Sequence, residues 1–399
     1  MAEGGALSGL RVVDAATLAA GPLVATTMGE LGADVIKIEQ PGAGDPLRRW
    51  GAQKHDIGLV WKSVSRNKRC VTLDLRQPAG QEILHLLLDV SDVLIVNNRP
   101  SALARWGLEP AAVLARHPRL VVLHVSGFGA GGPHSDRPGF GTLAEAMSGF
   151  AHIVGQTEGP PTLPPFMLAD GVASMAGTYA VLAALYHRDV HGGPGQHIDV
   201  NLIEPLARLI ESATLTYDQL GWSPARIGNR WDTSAPRNAY RTADGRWIAM
   251  SSATPAVAQR AFRAIGRSDW ADDPDRVDPV RRQAHAAEID DAVGCWIGAR
   301  SLEDAMAVFE ACDVAAAPVY DAAQLLADPH LAARGTYPTM TDSDLGPMRV
   351  QAPVARLSAT PATIDHLGAA LGAHNGEVYG ELLKIDADRL RSLTAEGVM

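Results

Sequence analysis

The run LRVVDAATLAAGPLVATTMGELGADVIKIE, Leu10 to Glu39, decides the fold. Its two ends, Leu10 to Val13 and Val35 to Ile38, are short apolar stretches rich in β-branched residues and read as buried strands. Between them, Ala20 to Leu31 reads as a helix. A strand, a crossover helix and a second strand form a β-α-β unit, and such units build a mostly parallel sheet covered by helices on both faces. The pattern continues outward, with apolar strands at Val93 to Val96 and Leu120 to Val125 and a helix at Gly80 to Leu88. The fold class is therefore α/β: a doubly wound, Rossmann-like large domain whose ligands belong at the carboxyl ends of the strands.

That large domain is expected over residues 1–199. A helical connector, Val200 to Leu220, continues as a linker to residue 225. A smaller α+β domain then follows over residues 226–327. Its strand is Trp247 to Ser251, and its helices lie around Pro255 to Ile265, Ala284 to Ile297 and Leu302 to Ala311. Residues 328–399 read as a loop-rich return segment that ends in short helices packed on the large domain.

The chain has 399 residues, 46% of them hydrophobic, enough to bury a substantial core. A net charge of −10 argues against nucleic-acid binding, which needs a basic surface. Nine Lys/Arg stand against four Asp/Glu between Lys37 and Arg76, a local basic excess that suits a small polyanionic ligand. Three separated cysteines give neither a disulfide framework nor a zinc pattern. No signal peptide is recognisable, and the run Gly171 to Tyr186 is too short and too rich in small residues for a membrane span, so it reads as a buried helix. The expected setting is cytoplasmic, with no metal and no membrane partner.

Gly127, Gly129 and Gly132 in the loop Ser126 to Pro133 have the spacing of a dinucleotide fingerprint. That motif must open directly into a helix, in the first β-α unit. Here Pro133 and Pro138 keep the chain extended to about Gly141, and the loop follows a later strand. A nicotinamide-type oxidoreductase is therefore the weaker reading.

Several segments together resemble the family III coenzyme A transferases, the group that includes formyl-CoA and carnitine CoA-transferases. In order they are Ala20-Gly21-Pro22, the run Leu31 to Asp45, Arg66 to Arg69, Asn97-Asn98-Arg99-Pro100 with Arg105-Trp106-Gly107-Leu108, Ser126 to Pro133, Leu168-Ala169-Asp170-Gly171, and His374 to Val378. The resemblance covers nearly the whole chain. It implies an interlocked homodimer, no tightly bound cofactor, and coenzyme A or acyl-CoA together with a small carboxylic acid as substrates. It also implies a coenzyme A site in which Lys68, Arg69, Arg76, Arg99 and Arg105 suit the phosphates and Leu73 and Leu75 the adenine, with Ala19, Ala20, Gln40, Asn97, Asn98, Arg137, Gly139 and Phe140 completing it. Gln40 stands where formyl-CoA transferase has an arginine. That enzyme's glycine-rich lid has no counterpart in Gly228 to Tyr240, so its specificity does not carry over.

By the same resemblance Asp170 is the nucleophile. It precedes a strongly helical run, a place where a plain N-cap would also stand. In the family the carboxylate takes the acyl group as an anhydride and then the thiol as a thioester. Two neighbouring readings are a non-catalytic acyl-CoA-binding protein and a 2-methylacyl-CoA racemase. A racemase needs a histidine in a Gly-His-Asp segment, and the matching positions here are Gly139-Phe140-Gly141. Arg226, Arg230, Arg237 and Arg241 are candidates for holding the distal carboxylate of a dicarboxylic acid, or ordinary structural and surface arginines.

Overall fold

The structure, a computed structural model, describes residues 4–399. By internal packing the described chain divides into two units, one of residues 4–150, 163–215 and 333–399, the other of residues 151–162 and 216–332.

The first unit is built on six parallel strands: β1 (Arg11–Asp14), β2 (Asp34–Glu39), β3 (Lys68–Thr72), β4 (Val93–Val96), β5 (Val121–Ser126) and β6 (His197–Asn201). Their order is β3-β2-β1-β4-β5-β6, so the sheet grows one way from β1 and the other way from β4. Alternate side chains enter two separate cores. Val13, Ile36, Leu94 and Val122 join α2 (Pro78–Leu88) and the tail residues Val378, Tyr379 and Leu393 on one face. Val12, Val35, Ile95 and Leu123 meet α1 (Ala20–Glu30) and the helix Leu168–Val190 on the other. That second helix is long and apolar enough to cross a membrane. Here Ala169, Ala173, Val181 and Leu185 pack it into the core. Gly177 lets it lie close to the sheet, since a Cβ there would stand 3.1 Å from both Leu123 and Val24.

Two elements differ from the sequence reading. Val200 and Asn201 belong to the edge strand β6, and the helical stretch after them is broken into Glu204–Leu209 and Glu211–Leu220. Asn201 ends the strand because its Oδ1 accepts the N–H groups of Ile203 and Glu204 at 2.9 and 2.8 Å. A side chain that bonds its own following backbone competes with the ladder.

The second unit carries a three-stranded antiparallel sheet of β7 (Arg237–Arg241), β8 (Trp247–Ser251) and β9 (Ala316–Pro318), with β8 in the middle. Phe262, Trp270, Ile289, Val293 and Phe309 fill its core. Buried Asp290 gathers Tyr240 Oη, Arg230 Nε and Asn238 Nδ2 at 2.6, 2.6 and 3.2 Å. Of the candidate arginines, Arg230 is thus committed to Asp290, and Arg226 binds the carbonyls of His152 and Gly159. Arg237 donates to the Asn229 and Arg230 carbonyls and lines a cavity of about 790 Å³ within this unit.

Candidate active site

The order of the sheet turns back between β1 and β4, and an open parallel sheet leaves a crevice at such a point. A cavity of about 280 Å³ lies there. Its walls are Thr17 to Ala20 after β1, Asn97 to Arg99 after β4, and Val125 to Gly127 at the end of β5. Ser135, Arg137 to Phe140, Leu202 and Asp170 complete them.

Asp170 is the carboxylate of this lining. It lies on α6 (Leu168–Val190), with α3 (Pro100–Arg105), α4 (Pro110–Arg116) and α5 (Gly141–Met147) before it in the chain. The position is the third of the helix and not its cap, which Met167 occupies without a side-chain bond. Leu168 and Ala169 are strong helix formers, and the Gly171 N–H closes the first turn on the Met167 carbonyl at 3.0 Å. Its own N–H and that of Ala20, the first residue of α1, lie close enough to the carboxylate to favour its charge. It is thus set between two helix N-termini, where negative charge is favoured. Burial nevertheless outweighs these donors and pushes the carboxyl above its ordinary value.

The loop that delivers Ala20 is held residue by residue. Thr17 N–H donates to Asn97 Oδ1 at 2.9 Å, and Asn97 Nδ2 returns a bond to the Thr17 carbonyl at 2.7 Å. Leu18 N–H donates to Asp45 Oδ1 at 3.1 Å, and Leu18 itself has φ 62°, a left-handed conformation costly for a leucine. Beneath it Lys37 is buried and pairs with Asp45 at 2.9 Å while donating to the Ala16 carbonyl. Burial works against the Lys37 charge, but Asp14, Asp45 and Glu39 outweigh it and raise its pKa.

Glycines supply the room. A Cβ on Gly141 would lie 2.8 Å from Asp170 Oδ2, so the missing side chain is the space the carboxylate occupies. Gly127 and Gly139 pack backbone on backbone, each Cβ position falling 2.6 or 2.5 Å from the other's Cα. The glycine loop thus closes the cavity wall, and the next helix starts only at Gly141. Around Gly171 nothing lies within 4 Å of where a Cβ would be, which leaves the carboxylate approachable.

A second cavity of about 180 Å³ adjoins the first, sharing Thr17 and Asn98. Gln40, Leu73, Leu75, Arg76 and Trp106 line it. Asp74 stands behind Arg76, bonded to its Nε and Nη2 at 2.8 Å each, and also takes a bond from Gln40. The Arg76 bond, the larger cause, pulls the Asp74 carboxyl far down.

Of the residues expected from sequence, Ala19, Ala20, Asn97, Asn98, Arg99, Arg137, Gly139, Phe140 and Asp170 meet in the first cavity, and Gln40, Leu73, Leu75 and Arg76 in the second. Three do not. Lys68 is fully buried inside the sheet, its Nζ held by Asp14 Oδ2 at 2.9 Å and the Pro22 carbonyl at 2.7 Å. Arg69 is at the opposite, amino end of the strands, bidentate to Asp34 at 2.9 and 2.6 Å. Arg105 is exposed and lines neither cavity. Asn97 serves differently from expectation, its amide being spent on Thr17. Unforeseen were Leu18, Asp45, Gly141 and a buried acid, Glu145. Asp45 and Gly141 stand inside stretches the sequence singles out, Leu31 to Asp45 and Gly139-Phe140-Gly141, while Leu18 and Glu145 carry no such signal.

A doubly wound sheet with a half-buried carboxylate and arginines at its switch point is an α/β small-molecule site. The chain belongs to CoA-transferase family III, whose model matches residues 7–375. It is 37% identical to the succinyl-CoA–D-citramalate CoA-transferase of Chloroflexus aurantiacus over 98% of each chain. It is 29% identical to the succinate–glutarate CoA-transferase of Agrobacterium fabrum over 95% of this chain and 96% of that one. A CAIB/BAIF family protein from Brucella suis superposes with a TM-score of 0.83 at 27% identity, covering 95% of this chain and all of that one. The protein is therefore an enzyme that transfers coenzyme A between carboxylic acids.

Proposed function

We propose that the enzyme moves coenzyme A between short dicarboxylic acids, with Asp170 as the covalent carrier. The observation that carries this reading is the Asp170 carboxylate in the switch-point cavity, facing the Ala20 N–H and the space left by Gly141. An Asp170 oxygen attacks the donor thioester carbonyl, the C–S bond breaks and the thiolate leaves, giving a mixed anhydride. The thiolate then attacks the aspartyl carbonyl and expels the donor acid as its carboxylate, leaving an aspartyl thioester. The acceptor carboxylate reverses both steps and regains the thiol. Each negative charge develops beside helix N-termini, where the Ala20 N–H is the donor at hand.

Arg99, Arg137, Arg76 and Gln40 are the residues this reading assigns to coenzyme A, with Leu73, Leu75 and Trp106 against its base. The dicarboxylate class is supported by the relatives, whose names specify succinyl-CoA, citramalate, succinate and glutarate. Phe140 lines the cavity where a racemase would need a proton-exchanging histidine. The test is succinyl-CoA as donor against a panel of mono- and dicarboxylic acids, with thioester products read by mass. Transfer to hydroxylated or plain four- and five-carbon dicarboxylates is expected, and transfer confined to monocarboxylates would refute the substrate class.

The reading includes a homodimer. Its support is an exposed apolar stripe on α6, Met175, Tyr179, Tyr186 and Val190, at helical spacing. Sedimentation should show a dimer at micromolar concentration, and a stable folded monomer would count against it.

A further inference from the structure

Glu145 is buried on α5 at 3% exposure, one helical turn beyond Gly141. Among the described residues no cation pairs with it. A buried carboxylate without a cation is costly, so the fold keeps it at a loss unless it serves the site.

Its surroundings show what it serves. The N–H groups of Leu168, Ala169 and Asp170, in the first turn of α6, have no helical carbonyl to donate to. Leu168 N–H goes to the Phe166 carbonyl at 2.8 Å. Asp170 N–H goes to its own carboxylate. Ala169 N–H goes to Glu145 Oε1 at 3.5 Å. Since Met167 provides no side-chain cap, Glu145 supplies one from a neighbouring helix. Two carboxylates therefore share one helix N-terminus.

We propose, building on the reading of Asp170 as covalent carrier, that Glu145 is a positioning residue: it caps the helix that bears Asp170, and its charge favours the states in which Asp170 is neutral. Those states are the anhydride and the thioester, in which the aspartate has given up its charge. From α6 the titratable group that faces Glu145 is Asp170, and just past the end of α5 the Ser148 hydroxyl donates to the Glu145 backbone carbonyl and not to its carboxylate. Across the cavity the charged groups are Arg99 and Arg137. Burial pushes the Glu145 carboxyl up, the Ala169 N–H works against it, and the Asp170 charge adds to the rise.

The experiment compares Glu145→Gln and Glu145→Ala with wild type and with Asp170→Asn. Glutamine keeps an acceptor for Ala169 N–H and removes the charge. In Glu145→Gln the acid limb of the kcat/KM profile should move to lower pH by about half a unit or more. The fraction of enzyme trapped as aspartyl thioester after incubation with acyl-CoA should fall severalfold while the melting temperature holds. A purely structural cap predicts instead that Glu145→Gln matches wild type in both and only Glu145→Ala suffers, which would overturn the proposal. Asp170→Asn separates the two readings. If it is inactive while Glu145→Gln is unchanged, the carrier stands and the role of Glu145 falls. If it still transfers coenzyme A, the carrier reading itself fails.

Discussion

Asp170→Asn is expected to abolish transfer, by about a thousandfold or more, in a protein that melts at or above the wild-type temperature at neutral pH. Asparagine has nearly the volume of aspartate and keeps an acceptor for the Ala20 N–H, so the fold loses little. It should in fact gain stability at neutral pH. Burial, the largest cause, raises the Asp170 carboxyl above its ordinary 3.8 in the folded chain. Below that ordinary value the group is neutral folded and unfolded, and it costs folding nothing. As the pH climbs from there through the raised folded value, the unfolded chain releases its proton first and the folded state is penalised, fully so above both. The amide removes that penalty. The stability advantage of the variant should therefore be small in acid and grow towards neutrality, as read by thermal melts across pH. In wild type, hydroxylamine added after acyl-CoA should modify a peptide containing Asp170, and the variant should show no such peptide. A variant that turns over at near wild-type rate would remove Asp170 from the mechanism.

The second large effect is expected from Gly141→Ala. The added Cβ would stand 2.8 Å from Asp170 Oδ2, inside contact distance, so the carboxylate must turn away. Displacement of a reacting group by about 1 Å costs on the order of a hundredfold in rate. The helix should not suffer, because Gly141 opens α5 and has no positive φ, and alanine favours a helix by up to about 1 kcal/mol over glycine. The signature is thus a kcat reduced about a hundredfold with an unchanged or raised melting temperature and an unchanged KM for the acyl-CoA donor. Loss of stability in step with activity would mean that the methyl group disturbs the fold and not the carboxylate.

What the sequence made legible follows from how each element is buried. β1, β2, β4 and β5 are covered on both faces and so read as unbroken apolar runs. β3 begins Lys68-Arg69 and was not read as a strand, because its charges are satisfied by Asp14 and Asp34, acids far away in sequence. The same distance misled the reading of Lys68 as a phosphate ligand. A lysine among other basic residues looks solvated, and only the folded sheet puts Asp14 beside it. β6 was missed for a different reason: at the sheet edge it alternates exposed and half-buried residues, and its polar sequence merges with the helix that follows. Asp170 was legible through its motif. Glu145 was not, since an acid on a short helix is ordinarily solvated, and its burial depends on α5 packing against α6.

The reciprocal bonds between Thr17 and Asn97 join the tips of β1 and β4, the two strands from which the sheet grows in opposite directions. Neither half-sheet has a complete cavity of its own. A substrate seated there touches both halves, so pulling the halves apart also releases the substrate. Its binding free energy then opposes global unfolding and not merely the fraying of a loop. Substrate should accordingly slow hydrogen exchange at the most protected amides in the middle of the sheet, far from any atom it contacts.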